Sequence, residues 1–288
     1  MPENNAEPLT LLVVHWNNPE ACLATVRALR GQHPDLETTI LDNASSHEAY
    51  ESLRSQPDAE IIRLLQNLGW GPALNVGLRK WLDQSRGEFC LISAHDAVPS
   101  TECVPLLVEA MMQDPKIGIA CPQYADATVP TLSALHGVKM HVDLVQSRGA
   151  VQFVDVPHGT LFLVRRSCLR EVGLFDERYF AYGDEHELGA RARRHGWKVA
   201  LVWGATVTNP QTSTPSAWRS YLFARNSLLL VHDYFGSIAG LLRASVVAIN
   251  TLRNSLAPPD KAFAFSARAQ WRALRDFFAG RFGRPNLE

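Results

Sequence analysis

Three carboxylates lie within four residues in the segment "GDEHELGARARRHGW" (183–197): Asp184, Glu185 and Glu187. The pattern is typical of a helix start, in which Asp184 caps the helix and Glu187 completes a capping box. Glu187 and Arg191 are also spaced i,i+4 in the favourable order. This scheme uses two of the three acids and leaves Glu185 without a structural role. We therefore consider Glu185 the candidate for an acid that contacts a substrate.

Polar or glycine-rich clusters follow four apolar runs of the chain. They are "HWNN" (15–18), "DNASS" (42–46), "QNLGWGPALNVG" (66–77) and "SAHDAVPS" (93–100). Taken singly, each cluster is explained by a turn, because Asn, Asp and Gly are turn formers. Four such clusters, each directly after a predicted strand, indicate a binding site at one rim.

The runs that precede these clusters predict the elements that position them. Strands are predicted over residues 9–16, 37–42, 59–65, 88–94, 117–121 and 198–203, and helices over 19–31, 71–85 and 101–113. This alternation predicts an α/β fold with a mostly parallel sheet flanked by helices. In such sheets ligands bind at the carboxyl ends of the strands.

The glycine-rich cluster resembles a phosphate-binding loop in composition. Gly69 and Gly71 permit close backbone approach just before a predicted helix. A dinucleotide fingerprint would need glycine where Leu74 stands, and no lysine-bearing Walker loop is present. A dinucleotide-dependent oxidoreductase is therefore disfavoured.

Bulk properties narrow the class of protein further. The chain has 288 residues and a net charge of -1, which does not suit a nucleic-acid-binding protein. Its five cysteines are scattered, and the polar N-terminus shows no signal-peptide pattern. We therefore expect a cytoplasmic protein without disulfides or a zinc site.

Six motifs in register resemble the inverting glycosyltransferases of family 2, which have a GT-A fold. They are "VVHWNNPEACLATVRAL", "LDNASS", "NLGWGPALNVGL", "SAHDAVP", "GTLFLVRRSCLREVGLFDERYF" and "GDEHELGARARRHGW". The later "YLFARNSLLL" (221–230) is similar to the continuation in rhamnosyltransferase-type members. The resemblance covers residues 9–230.

This resemblance implies transfer of a sugar from a nucleotide-diphosphate donor to an acceptor hydroxyl. The "RN" continuation favours a dTDP-deoxysugar such as rhamnose, with UDP- and GDP-sugars as alternatives; the acceptor is a glycan, a lipid-linked molecule or a natural product. Glu185 is the implied general base, with Asp184 beside it. The implied nucleotide-sugar-binding residues are His15, Asn17, Asp42, Asn67, Gly69, Asn75, His95 and Asp96. His158, Gly159 and Trp203 are implied on the acceptor side, although core packing explains Trp203 equally well.

The match is incomplete at the family's Asp-x-Asp metal motif, which here is Ala94-His95-Asp96. Asp96 aligns with the second acid and is the expected ligand for Mg²⁺ or Mn²⁺, since one carboxylate and substrate phosphates can suffice. His95 is an additional ligand, a cationic substitute or a turn cap, and Asn209 lies near a position where relatives carry a histidine ligand. The missing acid motivates an alternative, a degenerate GT-A protein that binds nucleotide sugar or glycan without catalysis.

We expect a GT-A domain over residues 1–215, with a nucleotide-binding half (about 1–100) and an acceptor half (about 101–215). A helical extension over 216–288 carries ten Lys/Arg against four Asp/Glu, a balance of +6. Its apolar stretch 228–249 is interrupted by charges, which argues against a membrane span. A further helix places Trp271, Leu274, Phe278 and Phe282 on one stripe, with Arg268, Arg272 and Arg275 off it. This stripe either lies on an anionic membrane, at its inner face, or packs against the catalytic domain or a second subunit.

Overall fold

Runs of aliphatic residues form the strands of a large mixed sheet. The computed structural model describes residues 8–54, 59–124, 126–209, 214–256 and 265–286. The strands are β1 (Thr10–His15), β2 (Glu37–Asp42), β3 (Glu60–Arg63), β4 (Phe89–Ala94), β5 (Val98–Pro99), β6 (Ile117–Tyr124), β7 (Thr128–Ser133), β8 (Gly137–Val142), β9 (Val151–Phe153), β10 (Leu161–Arg165) and β11 (Lys198–Thr208). The helices are α1 (Pro19–Arg30), α2 (His47–Arg54), α3 (Trp70–Gln84), α4 (Cys103–Gln113), α5 (Arg166–Val172), α6 (Asp184–Arg194), α7 (Ser216–Leu256) and α8 (Ala267–Phe278).

The main sheet has the order β3-β2-β1-β4-β10-β6-β11-β5, with β9 also paired to β11. β3, β2, β1 and β4 run parallel, as do β6 and β11, whereas β10 is antiparallel to both of its neighbours. β7 and β8 form a separate two-stranded sheet. The predicted α/β class with a mostly parallel sheet flanked by helices is confirmed. The carboxyl ends of β1, β2, β3 and β4 lie at one edge of this sheet.

Alternating residues of β1 supply the two cores of the domain. Leu11 and Val13 belong to the cluster that α1 and α4 cover, and Leu12 and Val14 belong to the cluster that α3, α5 and α6 cover. Successive side chains of a strand point to opposite faces, so a sheet covered on both faces is apolar at every position. The five cysteines are buried and free, as expected for a chain without disulfides.

The six predicted strands and three predicted helices are present, but β6 and β11 extend three and five residues beyond their predicted ends. β5, β7, β8, β9, α2 and α5 were not predicted. Residues 1–7, with most of the polar N-terminal stretch, and 210–213, just after Asn209, lie outside the described residues.

α7 consists of two halves joined at Gly236, whose φ of 87° and ψ of 174° are not helical. We call residues 216–235 the inner half and residues 237–256 the outer half. The inner half is buried against the catalytic domain through residues such as Tyr221 and Leu228. By length and composition alone α7 is apolar enough to cross a membrane, and only 22% of its most apolar window is buried.

Candidate active site

Helix α6 begins with the acidic cluster, but Asp184 does not cap it. Gly183 is the N-cap residue, with a left-handed φ of 96°. Asp184 is completely buried, and its Oδ2 accepts a hydrogen bond of 2.7 Å from the Gly71 N–H at the start of α3. A Cβ atom at position 71 would lie 2.7 Å from that oxygen, so only glycine permits this approach. The expected capping box is therefore wrong, and Asp184 instead joins two helix starts.

The predicted pair between Glu187 and Arg191 is confirmed, with 2.7 Å between Oε2 and Nη2. Tyr234 on α7 also donates a hydrogen bond of 2.9 Å to Glu187 Oε1. Arg191 donates to the carbonyls of Val172 and Leu174 at 2.7 and 2.6 Å. Glu187 is thus part of the network that fixes α6 against its neighbours.

Glu185 lies in a confined position beside the strand β10. Its side chain is only 12% exposed, with Oε1 3.4 Å from His186 Nε2. Oε2 accepts a hydrogen bond of 3.0 Å from the Gly183 N–H, so Glu185 does have a structural contact that the sequence did not suggest. A Cβ atom at position 159 would lie 2.7 Å from Oε1, so Gly159 gives the carboxylate its space.

The two adjacent acids have unusual protonation equilibria. Burial, and then the negative charge of Glu185, raise the pKa of Asp184 well above its usual range. Burial also raises the pKa of Glu185. Two carboxylates so close together in a poorly solvated site do not both ionise readily.

The buried His158, the partly buried His186 and Tyr124 lie around Glu185. The His158 ring stacks on Tyr124 with 3.8 Å between centroids, and its Nδ1 accepts a hydrogen bond of 3.0 Å from the Thr160 N–H. Burial lowers the pKa of His158 to about 3 and that of His186 to about 4, so both are neutral at pH 7. His186 and Tyr124 were not predicted from the sequence. Two features of the sequence indicate them: Tyr124 lies at the end of β6, and His186 directly follows Glu185.

The segment that leads into α6 has a strained backbone. Phe180, Tyr182 and Gly183 have left-handed φ angles of 67°, 64° and 96°, which cost energy at the two aromatic residues. The Trp70 N–H donates a hydrogen bond of 2.6 Å to the Phe180 carbonyl. A Cβ atom at position 69 would lie 2.0 Å from the same oxygen. Only glycine at this position therefore allows the glycine-rich loop to pack against this segment.

Asn226 on the inner half of α7 holds this strained segment. Its Nδ2 donates to the carbonyls of Tyr179, Ala181 and Tyr182 at 2.9, 2.8 and 2.7 Å. Arg225 is also buried and donates to the Tyr179 carbonyl at 3.0 Å. The "RN" pair that resembles rhamnosyltransferase-type members therefore positions the chain ahead of Glu185.

On the nucleotide side, His15 and Asp42 are both completely buried and bonded to each other. His15 Nε2 accepts a hydrogen bond of 3.1 Å from the Asn18 N–H, so the proton on Nδ1 is donated to Asp42 Oδ1 at 3.0 Å. Asp42 Oδ2 has no hydrogen-bond partner among the described residues and lies 3.7 Å from Arg63 Nε. Burial opposes ionisation, but hydrogen bonds from His15 and Ser45 outweigh it and hold the pKa of Asp42 below its usual range.

The loops after β2 and β3 are joined by amide hydrogen bonds. Asn43 Nδ2 donates to Asn67 Oδ1 at 3.1 Å and to the Gly69 carbonyl at 2.8 Å. Asn67 Oδ1 also accepts from the Gly69 N–H at 2.9 Å. The exposed Asn17, in the loop after β1, accepts a hydrogen bond of 2.8 Å from the Ser46 N–H. The clusters expected at one rim are thus in contact.

Two residues expected in the site lie inside the protein instead. Asn75 is buried, and its amide exchanges hydrogen bonds of 3.0 and 2.9 Å with the backbone of Phe175, so it joins α3 to the segment before α6. Trp203 is completely buried, and its Nε1 donates to Gln152 at 2.9 Å. The expectation that Trp203 stacks on a sugar is therefore wrong. Trp203 instead packs in the hydrophobic core, which was the alternative.

Asp96 and Asn209 come together at the edge of the site, with 3.0 Å between Asn209 Nδ2 and Asp96 Oδ1. Burial raises the pKa of Asp96 to about 6. Burial, and then the nearby His15, lower the pKa of His95 to about 4, which favours a neutral His95 over a cationic substitute at pH 7. Among the described residues no group of three or more His, Cys, Asp or Glu side chains forms a ready-made metal site.

A chain of backbone contacts connects Asp96 to Glu185. The Ala94 N–H donates to the Thr160 carbonyl at 2.8 Å, and the Thr160 N–H donates to His158. Gly159, between these two residues, contacts Glu185. The residues just before β10 thus lie between the end of β4, which Asp96 follows, and Glu185 at the start of α6.

Comparison with known proteins agrees with this architecture. The model of the glycosyltransferase-like family 2 matches residues 6–225. The crystal structure of GalNAc-T7 with UDP, GalNAc and Mn²⁺ superposes with a TM-score of 0.66 at 15% identity, covering 96% of this chain and 57% of that one. This likeness concerns the fold.

Two relatives in sequence have named activities. The low-salt glycan biosynthesis hexosyltransferase Agl10 of Haloferax volcanii is 23% identical over 255 residues, which cover 84% of this chain and 81% of the relative. The N-acetylglucosaminyl-diphospho-decaprenol L-rhamnosyltransferase of Mycobacterium tuberculosis is 24% identical over 206 residues, which cover 58% and 64%. With the family match spanning most of the chain, this protein belongs to glycosyltransferase family 2 and is a glycosyltransferase with a GT-A fold.

Proposed function

We propose that this enzyme is an inverting glycosyltransferase in which Glu185 is the general base. The observation that carries the proposal is the Glu185 carboxylate, shielded from solvent against Gly159, beside a second acid whose pKa is raised further above its usual range. Burial and the charge of Glu185 favour the protonated form of Asp184, which places the negative charge of the pair on Glu185. A carboxylate in this state accepts the proton of an attacking hydroxyl.

The reaction that follows is a single displacement at the anomeric carbon of the donor sugar. The acceptor oxygen forms the new glycosidic bond as its proton moves to Glu185, and the bond to the diphosphate breaks. The neutral His158 and His186 border the acceptor side, where they donate or accept hydrogen bonds without competing for that proton. A positioned base of this kind contributes about 10²–10⁴-fold to the rate.

Asp42 is proposed to recognise the nucleobase. Its Oδ2 is buried without a hydrogen-bond partner among the described residues and is covered by Arg63. Such an oxygen accepts a hydrogen bond from a ring N–H, which thymine, uracil and guanine provide. We favour a dTDP-deoxysugar such as rhamnose, because the relative from Mycobacterium tuberculosis is named a rhamnosyltransferase, and we retain a UDP-sugar as the alternative.

A divalent cation fits beside Asp96 if the donor supplies most of its ligands. Mg²⁺ and Mn²⁺ prefer oxygen, and the Asp96 carboxylate, whose Oδ1 accepts a hydrogen bond from Asn209 Nδ2, is the side-chain oxygen ligand available there. The bound ion would neutralise charge on the departing diphosphate. Ala94 removes one ligand, so we expect an ion held mainly through the donor.

The acceptor is proposed to be a hydroxyl of a glycan, a lipid-linked molecule or a small natural product. His158, Gly159 and Tyr124 border the space next to Glu185. Trp203 is not among them, because it is buried.

The experiment compares the wild type with Glu185→Gln and with a matched control, Glu109→Gln, on the exposed face of α4. Thermal shifts with dTDP, UDP and GDP, each with Mn²⁺ or EDTA, identify the nucleotide and the need for metal. Transfer is then measured with the matching sugar donor. We expect Glu185→Gln to bind nucleotide normally and to lose about 10²–10⁴-fold in turnover.

Two outcomes would contradict the proposal. Unchanged turnover in Glu185→Gln would show that another group is the base. A wild type that binds nucleotide sugar but neither transfers nor hydrolyses it would support the non-catalytic alternative, which the absence of an acid at Ala94 motivates.

A further inference from the structure

The outer half of α7 has its large apolar side chains on the outside. Small residues, Ala239, Gly240 and Ala244, are buried. The exposed residues are Ile238, Leu241, Leu242, Ile249, Leu252 and Leu256, each more than half exposed. A helix that packs only on its own domain shows the opposite arrangement, because burying large side chains is the more favourable choice.

These exposed side chains form one continuous stripe. Ile238, Leu242, Ile249 and Leu256 follow helical spacings of four, seven and seven residues, so they lie on one face. The eighteen residue steps from Ile238 to Leu256, at about 1.5 Å each, give a stripe about 27 Å long. An apolar surface of this length marks an interaction site rather than an ordinary surface.

Helix α8, which packs against α7, exposes a face of alternating cations and aromatics. Arg268, Trp271, Arg275 and Phe278 are exposed and are separated by three, four and three residues. Trp and Arg suit a boundary between water and hydrocarbon, since each combines an apolar body with a polar end. Of the stripe expected from the sequence, Leu274 is buried, and Trp271 and Phe278 are not.

The charge around this surface is positive. Residues 216–288 carry ten Lys/Arg against four Asp/Glu, whereas the chain as a whole has a net charge of -1. Asp276, the acid of α8, is neutralised by Arg275 at 3.2 Å and by Arg272 and Arg281 at 3.8 and 3.7 Å. Arg253 is exposed near the end of the outer half. An anionic partner is therefore favoured over a neutral or basic one.

We propose that the outer half of α7 and the exposed face of α8, together the C-terminal surface, bind an anionic phospholipid bilayer. The surface lies in the plane of the interface, with the apolar stripe in the acyl boundary and the arginines at the headgroups. It does not cross the bilayer, because the inner half holds the segment before α6 and Ala244 and Val247 pack in the same cluster as α8. Binding of the C-terminal surface to the bilayer does not depend on the transfer reaction. It would hold the candidate active site close to substrates in the membrane.

The test is flotation of the full-length protein with vesicles of phosphatidylcholine alone or enriched in phosphatidylglycerol. We expect flotation with the anionic vesicles, and its loss in the double variant Ile249→Glu/Trp271→Glu. Met112→Glu is the matched control, because Met112 is an equally exposed apolar residue on α4. The double variant Arg253→Gln/Arg268→Gln is expected to weaken anionic binding roughly fivefold per arginine without affecting the thermal melt.

The proposal is overturned by wild-type protein that fails to float with either vesicle. It is also overturned if light scattering shows a stable dimer that Ile249→Glu converts to a monomer, because a second copy would then cover the surface. Nucleotide-dependent thermal shifts of each variant confirm that the catalytic domain is intact, so loss of flotation reports on the surface alone.

Discussion

Asp42 and Asp184 are both completely excluded from solvent, yet their pKa values are displaced in opposite directions. Asp42 receives hydrogen bonds from His15 and Ser45, which stabilise its charge and lower its pKa. Asp184 accepts backbone hydrogen bonds from Gly71 and from its own N–H, but these do not offset burial and the neighbouring acid, Glu185, which raise its pKa. Burial alone thus does not determine the charge of a carboxylate; the donors around it do.

The side of the site proposed to bind the nucleotide and the side proposed to bind the acceptor also differ. On the nucleotide side, polar side chains pair with one another, as Asn43 does with Asn67, and form a preorganised frame. On the acceptor side, Glu185, His158 and His186 are held in poorly solvated positions with displaced pKa values. Groups with perturbed pKa values are characteristic of sites where protons move. His95 and Asp96 on the proposed nucleotide side also have displaced pKa values, so what sets the proposed acceptor side apart is its adjacent pair of buried acids, Asp184 and Glu185.

Among substitutions that leave both acids in place, the largest expected effect on the proposed acceptor side comes from a single methyl group. In Gly159→Ala the new Cβ would lie 2.7 Å from Glu185 Oε1, so the carboxylate must move. A displacement of about 1 Å in a catalytic group can reduce turnover about 10²-fold. We expect that loss in kcat, measured by steady-state transfer kinetics, with little change in donor binding.

Gly31→Ala is the control for this substitution. Gly31 has φ of -61°, and a Cβ there meets Arg27 O at an ordinary 3.4 Å. Equal kcat in Gly159→Ala and Gly31→Ala would show that Glu185 does not need its observed position.

On the nucleotide side, Asp42→Asn is expected to weaken donor binding. The substitution removes the charge that His15 stabilises and that the base N–H would meet. A hydrogen bond to a charged group is worth about 1.5–3 kcal/mol, so nucleotide affinity falls at least about tenfold. Calorimetric titration with the preferred nucleoside diphosphate measures this affinity. Unchanged affinity in the variant would show that Asp42 does not contact the nucleobase.

Asp96 lies at the edge of the proposed nucleotide side. Burial raises the pKa of its carboxylate to about 6. Its charge is needed for a cation, so Mn²⁺ binding in the presence of a nucleotide sugar tightens as pH rises. With about one tenth of Asp96 ionised at pH 5 and about nine tenths at pH 7, the gain is about tenfold. Asp96→Asn should abolish this pH dependence, and an identical profile in the variant would exclude Asp96 as a ligand.

The strand runs were sufficient to predict the sheet, and the clusters after them predicted a polar edge. The roles of Asp42, Asp96 and Glu185 were implied by the resemblance to family 2 glycosyltransferases and stay predictions. The short, largely exposed β8 and β9 lack the apolar alternation that reveals strands. The contacts of Asn226 join positions more than 40 residues apart, and no local pattern encodes them. Burial of Trp203 is likewise a property of tertiary packing.

The smallest effect concerns Asp184, and it has the opposite sign to that expected at Asp42. Because the folded-state pKa is raised, Asp184 stabilises the fold below its unfolded pKa of about 3.8, and this contribution is lost as pH rises toward the folded value. Asp184→Asn keeps the acceptor for the Gly71 N–H and removes the cost of keeping a buried acid protonated at pH 7. We expect the variant to gain about 1 kcal/mol at pH 7 and nothing at pH 3, measured by urea unfolding, whereas Asp42→Asn loses stability at pH 7. A loss at pH 7 in both variants would mean that Asp184 is ionised in the folded protein. Asp184 would then not be the acid of the pair that holds the proton.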